Sequence, residues 1–380
     1  MKKKICFVVA VPGSAHSFLK DHLRELVKRY EVHLAAHFPD EESKREFQEM
    51  GICCHLVPIE RPIRLGNDLK ALFALRALFR RERFDAVHSV TPKAGLLTSL
   101  AGWLAGIKVR IHIFTGQVWA TRKGVMRFIL KSMDRMIALF DTHILVDGAS
   151  QRSFLMEQGV LKERNSRVLA DGSIAGVKLE RFVISKEVRE RERHSLGILP
   201  DEVVFIFLGR LNHDKGIGEL YEAFSRLVKE CPKAKLVLYG SDEEGYEAKA
   251  ADYPQLVRNR NFFYPGLTRK PFDALQGGDV FVLPTWREGF GSSVIEAQAL
   301  GLPVITSDAY GVRDASVPDV TGLRCGVNDP EGLYRCMKEY YLHPELRCLH
   351  GAAGRDRVIR CFDCNVVTAA WLKYYREVVG

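Results

Sequence analysis

Short apolar runs alternate with stretches of helical periodicity along almost the whole chain. In the first half, apolar, largely β-branched runs fall at residues 5–11, 31–36, 51–59, 86–90, 108–114 and 142–146. Between them, apolar positions three and four apart recur over 18–28, 68–81, 93–105 and 125–139. After residue 183 the alternation restarts, with strands predicted at 203–208, 235–239, 261–264, 280–283 and 303–306 and helices after most of them. Strands apolar on both sides, separated by helices, imply a parallel sheet covered on both faces. Two doubly wound α/β domains in series are therefore predicted. The join falls near 172–184, "GSIAGVKLERFVI", where glycines and polar residues suit a crossing segment. Open sheets of this kind bind ligands beyond the carboxyl ends of their strands, so the expected site is a cleft between the domains.

Size and composition agree with this picture. A chain of 380 residues exceeds what one core normally organises, and 47% hydrophobic with 27% charged residues is ordinary for a globular protein. The uncharged stretch 94–107, "AGLLTSLAGWLAGI", is too short to span a bilayer and contains three glycines. The opening "MKKKICFVVAVPG" has lysines before an apolar run, but that run ends at Pro12-Gly13 without a small-x-small site and reads as a buried first strand. Nine scattered cysteines fit reduced thiols, and Cys361-x2-Cys364 lacks a second ligand pair for zinc. Cytoplasmic residence is the expectation.

Charge is unevenly spread. Residues 1–182 hold 30 Lys+Arg against 19 Asp+Glu, a net of +11, and the remainder holds 26 against 28, a net of −2, which together give the +9 of the whole chain. The first half thus calls for an anionic partner: nucleic acid, a membrane surface or a phosphorylated molecule.

Two stretches of the second half carry chemistry. In "PTWREGFGSSVIEAQALGLPVITSD", residues 284–308, a turn rich in glycine leads into a helix for which Ser292 or Ser293 is a natural cap. Amides at such a helix start favour an anion, while Glu288 lies in the turn and Glu296 early in the helix. In "FLGRLNHDKGIGEL", residues 207–220, a strand runs into Gly209-Arg210, and Lys215-Gly216 opens a helix. A guanidinium fork with a mobile ammonium suits a diphosphate, and a cation at a helix N-terminus is unfavourable unless an anion joins it. The Walker A spacing is absent, as are GxGxxG and GxSxG. No Asp-x-Asp occurs to hold a divalent metal against a nucleotide.

The ordered set "GRLNHDKG", "YGSDEEG", "FFYPGL" and "PTWREGFGSSVIEAQALGLPVI" resembles the nucleotide-sugar domain of glycosyltransferase family 4, the retaining GT-B enzymes. "FDAVHSVTPKAGLLTSLAG" and "HIFTGQVWATRKG" in the first half resemble the bacterial capsule and O-antigen branch. The resemblance implies an acceptor-binding Rossmann-like domain at 1–182, a donor-binding one at 183–360, and a helix at 361–380 returning to the first. It implies that Arg210 and Lys215 hold the donor diphosphate, Glu296 accepts the ribose hydroxyls and Glu288 contacts the donor sugar. These make Glu288, Arg210 and Lys215 the expected catalytic set. Phe290, Gly291, Ser292 and Ser293 would give backbone donors to sugar and phosphate. Gly209 and Gly240 would also bind the donor, and Gly266 and Leu267 would grip the base. Gly13 in "VPGSAH" matches the flexible loop after the first strand.

Many relatives carry His where this chain has Thr115, with His112 three residues earlier. An essential histidine base is not expected, and His16, His88 and His112 have structural readings. The retaining mechanism needs none, because a leaving phosphate oxygen can take the acceptor proton. Neither a cofactor nor a metal is expected. The acceptor side would include His16, Lys93, Thr115, Arg122 and Lys123. Segments 70–83, "KALFALRALFRRER", and 121–140, "TRKGVMRFILKSMDRMIALF", suit helices lying on an anionic leaflet, or else ordinary sheet-covering helices with basic outer faces. The activity the resemblance implies is transfer of a hexose or N-acetylhexosamine from a UDP-sugar to a polyprenyl-diphosphate-linked saccharide at the inner membrane face, with no nucleic-acid partner. A nucleotide-sugar 2-epimerase of the same architecture and a non-catalytic sugar-nucleotide-binding subunit are the alternatives.

Overall fold

The computed structural model describes residues 2–60, 64–257 and 260–380. It divides into two compact units, Met1–Gly176 with Cys364–Gly380, and Val177–Asp363. Residues 177–182 thus lie in the second unit rather than the first, and 361–363 lie there rather than in the returning helix. The reason is local: Val177 N–H donates to Phe362 O at 2.7 Å, and Val177 bridges Asp363, so the two crossing segments pair just inside the second unit.

The first unit is a seven-stranded sheet in the order β3-β2-β1-β4-β5-β6-β7, every neighbouring pair parallel. The strands are Lys4–Val8, Glu31–Ala36, Cys53–Leu56, Ala86–Val90, Val109–Phe114, His143–Val146 and Ser166–Val168 for β1 to β7. Side chains alternate across β1 with period two. Ile5, Phe7 and Val9 enter one core, with Val367 and Trp371 of the C-terminal helix Cys364–Val378. Cys6 and Val8 enter the other, with Leu75 and Phe79 of helix Leu65–Glu82 and Ala94, Leu97 and Ala101 of helix Pro92–Ala105. The unbroken apolar run of this strand is the direct consequence of having two buried faces. Two expectations change here. The strand expected over 51–59 shrinks to Cys53–Leu56, a part-exposed edge, and β7 was not expected because "SRV" carries no apolar run.

Aromatic stacking docks the C-terminal helix. His22 lies 4.6 Å from Trp371 at 14°, and His88 lies 5.2 Å from Trp371 and 5.2 Å from Phe7. His88 Nδ1 is 2.5 Å from the Tyr375 hydroxyl. His22 uses both ring nitrogens, at 2.9 Å from Thr368 Oγ1 and 2.7 Å from Ile174 O.

The second unit holds a six-stranded parallel sheet in the order β10-β9-β8-β11-β12-β13. Its strands are Val203–Leu208, Ala234–Tyr239, Phe262–Gly266, Val280–Leu283, Val304–Ser307 and Gly322–Cys325 for β8 to β13. The last was not expected. Gly322 sits so close to β12 that an added Cβ would fall 2.3 Å from Val304 O, and Arg324 breaks the apolar pattern. Each β-strand of β8 to β11 runs into a loop at its carboxyl end, and those loops carry the candidate site residues.

Candidate donor site

Four neighbouring strand ends bring the singled-out residues of the second unit together. β8 runs into Gly209 and Arg210, β9 into Gly240, β10 ends on Gly266 before Leu267, and β11 leads to the turn that holds Glu288. Backbone bonds stitch this row, with Gly209 N–H donating to Tyr239 O at 2.9 Å and Gly240 N–H to Gly266 O at 3.0 Å. Packing here tolerates no side chain at two places. A Cβ on Gly240, at φ +146°, would stand 1.7 Å from Gly209 O, and one on Gly216, at φ +71°, would stand 2.0 Å from Pro284 O.

Lys215 closes the 3₁₀ turn His213–Lys215, and the left-handed Gly216 then starts helix Ile217–Glu230. Its ammonium is in direct contact with Glu288 Oε1, both side chains under a fifth exposed. Arg210 is more open. Its Nη1 donates to both Glu243 oxygens, at 3.1 and 3.0 Å, and Asn212 Nδ2 donates to Glu243 Oε2 at 2.8 Å. Those bonds, from Asn212 first and Arg210 second, hold the Glu243 carboxyl below the usual carboxylate range. Both contacts use one nitrogen, so among the described residues Nη2 and Nε of Arg210 stay available to an anion.

The turn after β11 is set by packing at both ends. Phe290 is buried edge-on against Phe362 at 5.2 Å, and a Cβ on Gly311 would fall 2.3 Å from Glu288 O. Helix Ser292–Ala299 is capped by Gly291 at φ +88° with no side-chain cap bond, so the expected serine cap is not made. Gly291 adopts the left-handed conformation at the cap position, which places Ser292 and Ser293 inside the first turn instead. Their amides are left without a capping side chain and available to a ligand. Glu296, the fifth residue of this helix, is part-buried, and among the described residues its carboxylate has neither a hydrogen bond nor an ion pair. Burial pushes its pKa up to about 7. Leu267 is 79% exposed.

A row of glycine-bordered loops, two cations, two carboxylates and a helix start without a side-chain cap suits a phosphorylated, hydroxyl-rich molecule. Comparison with known proteins decides the family. The profile of the "Glycosyl transferase 4-like domain" matches residues 15–169, and that of "Glycosyl transferases group 1" matches 188–357. The Staphylococcus aureus capsular polysaccharide biosynthesis glycosyltransferase CapM is 30% identical over 367 residues, 97% of this chain and 95% of that protein. The chain belongs to glycosyltransferase family 4.

Two further likenesses place this glycosyltransferase. An Escherichia coli UDP-Gal:alpha-D-GlcNAc-diphosphoundecaprenol alpha-1,3-galactosyltransferase is 25% identical over 272 residues, 71% of this chain and 69% of that enzyme. The crystal structure of Anabaena HepE in complex with UDP superposes with a TM-score of 0.80 at 15% identity, over 99% of this chain and 100% of that one. At that identity the likeness is one of fold, and the fold is GT-B.

The residues expected on the acceptor side lie in the first unit of the glycosyltransferase. His16, Lys93 and Thr115 follow the carboxyl ends of β1, β4 and β5, which are neighbours in the sheet. Each has a partner there: His16 Nδ1 is 2.8 Å from Glu46 Oε2, Lys93 Nζ is 2.6 Å from Asp68 Oδ1, and Thr115 O accepts from Gln117 and Gln151 Nε2. Arg122 and Lys123 are exposed just ahead of helix Gly124–Phe140. Gly13 is not on a loop but in the first turn of helix Pro12–Phe18, because Pro12 fixes a helical φ at the first position and Ala15 is buried.

The buried histidines are built into the interior. His112 Nδ1 is 2.9 Å from Ser89 Oγ, and burial pushes its pKa down to about 3. His88 is likewise held well below its ordinary value by burial. Among the described residues, no group of three or more His, Cys, Asp or Glu is placed to hold a metal ion. Glu243, Asn212, Asp214, Trp286 and Arg287 pair with or pack beside the candidate site residues and were not singled out in the sequence. For Asp214 and Arg287 the signal was adjacency, since they directly precede Lys215 and Glu288; Glu243 and Asn212 gave none, because their pairing depends on the ends of β8 and β9 lying together.

Proposed function

We propose that this glycosyltransferase moves a sugar with retention, without a metal, from a UDP-sugar to a polyprenyl-diphosphate-linked saccharide. The Lys215–Glu288 pair beside Arg210 and the Ser292 helix start carries the reading. Cations and amides there would neutralise the departing diphosphate, while a carboxylate stands by to orient sugar hydroxyls. Retention then follows if a departing phosphate oxygen takes the acceptor proton on the face it leaves. The E. coli relative's name pairs a UDP-linked donor with a diphosphoundecaprenol acceptor, which supports the choice of both substrates. A panel of UDP-sugars with a polyprenyl-diphosphate-sugar acceptor tests it: transfer with an α-linked product, undiminished by EDTA, is expected. An epimerised donor or binding alone would overturn it, and full inhibition by EDTA reversed by Mg²⁺ would remove metal independence.

The acceptor proposed here lives in a bilayer, and helix Gly124–Phe140 supports contact with one. Asp134 and Ile137 face inward. The opposite stripe is apolar, with Val125 74%, Phe128 67% and Leu139 75% exposed, and Ile129 and Met136 also open. At 100° per residue these five fall within an arc of about 100° over some 21 Å of helix. Arg127, Lys131 and Arg135 line one flank, near Gln158 and Gly159. The outer face is therefore apolar with a basic border, not simply basic. Among the described residues no helix is long and apolar enough to cross a membrane. Co-sedimentation with vesicles containing anionic phospholipid is expected, and Phe128→Glu with Leu139→Glu should reduce the bound fraction about tenfold or more. Equal binding of the wild type to neutral vesicles, or no loss in the double variant, would contradict the membrane role.

A further inference from the structure

Two ion pairs lie side by side between the loop after β8 and the loop after β11, with opposite polarity. Lys215 meets Glu288, and the residue before each, Asp214 and Arg287, meet one another. Nε and Nη2 of Arg287 donate to Asp214 Oδ2 at 3.0 and 2.6 Å. These side chains are 13% and 22% exposed, so the pair is shielded from salt and solvent. The backbone is fixed at the same rung, since Trp286 N–H and Thr285 Oγ1 both donate to Asp214 O at 2.8 Å. Above it, the Trp286 ring packs on His213 with centroids 4.4 Å apart and donates Nε1 to Glu219 at 3.2 Å.

Four charges carried by two consecutive residues in each loop can pair in more than one way. Asp214 is the chain neighbour of Lys215, and the lysine stem is long and flexible enough to turn toward it. In the observed pairing the Arg287 fork occupies the Asp214 carboxylate, so Lys215 is answered by Glu288. A planar fork making two bonds to one carboxylate holds it in a fixed place, whereas a lysine would supply only charge. We infer that Arg287 is a positioning residue for Lys215: by holding Asp214, it keeps that carboxylate from competing with the donor diphosphate for the Lys215 ammonium. The inference rests on the reading of Lys215 as a diphosphate ligand.

The consequence is a repair that ordinary structural damage does not give. Arg287→Met frees Asp214 to draw off Lys215, and UDP affinity should fall about tenfold. Asp214→Asn alone should stay within about threefold of wild type, and the double variant should return to that range because no competing charge remains. Arg287→Lys should fall between, keeping the charge and losing the fork. Calorimetry with UDP on the full chain measures the affinities, and thermal unfolding is followed in parallel. Both Arg287→Met and the double variant lose the rung and should unfold at similarly lowered temperatures. Affinity restored without stability restored is therefore the expected result.

A double variant as weak as Arg287→Met, or Arg287→Met at wild-type affinity, would overturn the role. Should Arg287→Met not fold, Arg287→Lys with and without Asp214→Asn gives the same comparison. Lys215→Ala separates the two ways of failing. If it binds UDP like wild type, the diphosphate reading fails and this inference with it; if it binds weakly and the double variant stays unrepaired, only the Arg287 role fails.

Discussion

Glu288→Ala is expected to lower turnover about a hundredfold while changing UDP affinity less than about threefold, whereas Lys215→Ala should weaken UDP about tenfold or more. The asymmetry follows from the pair itself. Glu288 neutralises Lys215 when no donor is bound, so deleting the carboxylate leaves the cation free and cannot harm its hold on phosphate. What is lost is a fixed acceptor for sugar hydroxyls, whose demand grows as the sugar gains positive character and the diphosphate departs. Deleting the lysine instead removes a charge the diphosphate needs in both ground and transition states, so affinity falls with rate. Steady-state kinetics with calorimetry for UDP distinguishes the two. A Glu288→Ala enzyme that loses affinity and turnover in equal measure would show that its carboxylate serves nucleotide binding rather than the reacting sugar.

How much of this could be read from the chain depended on whether one residue or two segments carried the signal. The strands of both sheets with runs buried on two faces, such as β1 and β8, are legible because burial imposes an unbroken apolar string. β7 and β13 are not, because an edge strand closes a sheet by backbone bonds that leave no pattern in three or four mixed residues. The same division holds in the site. Lys215, Glu288 and Arg210 stand in recognisable stretches, but that Lys215 is paired with Glu288 is a fact about β8 and β11 being neighbours. Glu243 is a loop acid in the sequence and becomes a partner of Arg210 and Asn212 only when the ends of β8 and β9 are juxtaposed. Gly291 was read as part of a turn with a serine cap to follow. A positive φ, the property that makes it the cap itself, belongs to the fold and not to the residue type. The outward apolar stripe on helix Gly124–Phe140 was half legible, since the periodicity gives a stripe and only the packing says which side is in.

Glu296→Gln should make the second unit more stable and the donor weaker bound, a pairing of effects that a structural residue does not produce. Among the described residues the part-buried carboxylate has no partner, and burial lifts its pKa from the usual 4.5 to about 7. Above pH 7 it is charged in both folded and unfolded chains, and the folded state bears the full desolvation cost. Between 7 and 4.5 the folded state takes up the proton first, so the cost is relieved as pH falls. Allowing for its partial exposure, that cost is on the order of 2 kcal/mol at pH 8. Glutamine removes it, and melting of this unit should rise by roughly 4–8 °C at pH 8 and little at pH 5. A carboxylate kept charged at such cost offers two acceptor oxygens to a ribose diol, whereas an amide offers one uncharged oxygen beside an NH2 group that does not accept. Affinity for a UDP-sugar should therefore drop about tenfold in the variant. In the wild type it should weaken steadily as pH falls below about 7, because the proton must leave before the diol binds. A UDP-sugar rather than UDP is the right probe, since the terminal phosphate of UDP itself titrates near pH 6. Calorimetry from pH 5.5 to 8.5 should give a sloping wild-type profile and a flat one for Glu296→Gln. A variant that gains stability yet keeps wild-type affinity across that range would leave Glu296 a mere burden on the fold and move the ribose contact elsewhere.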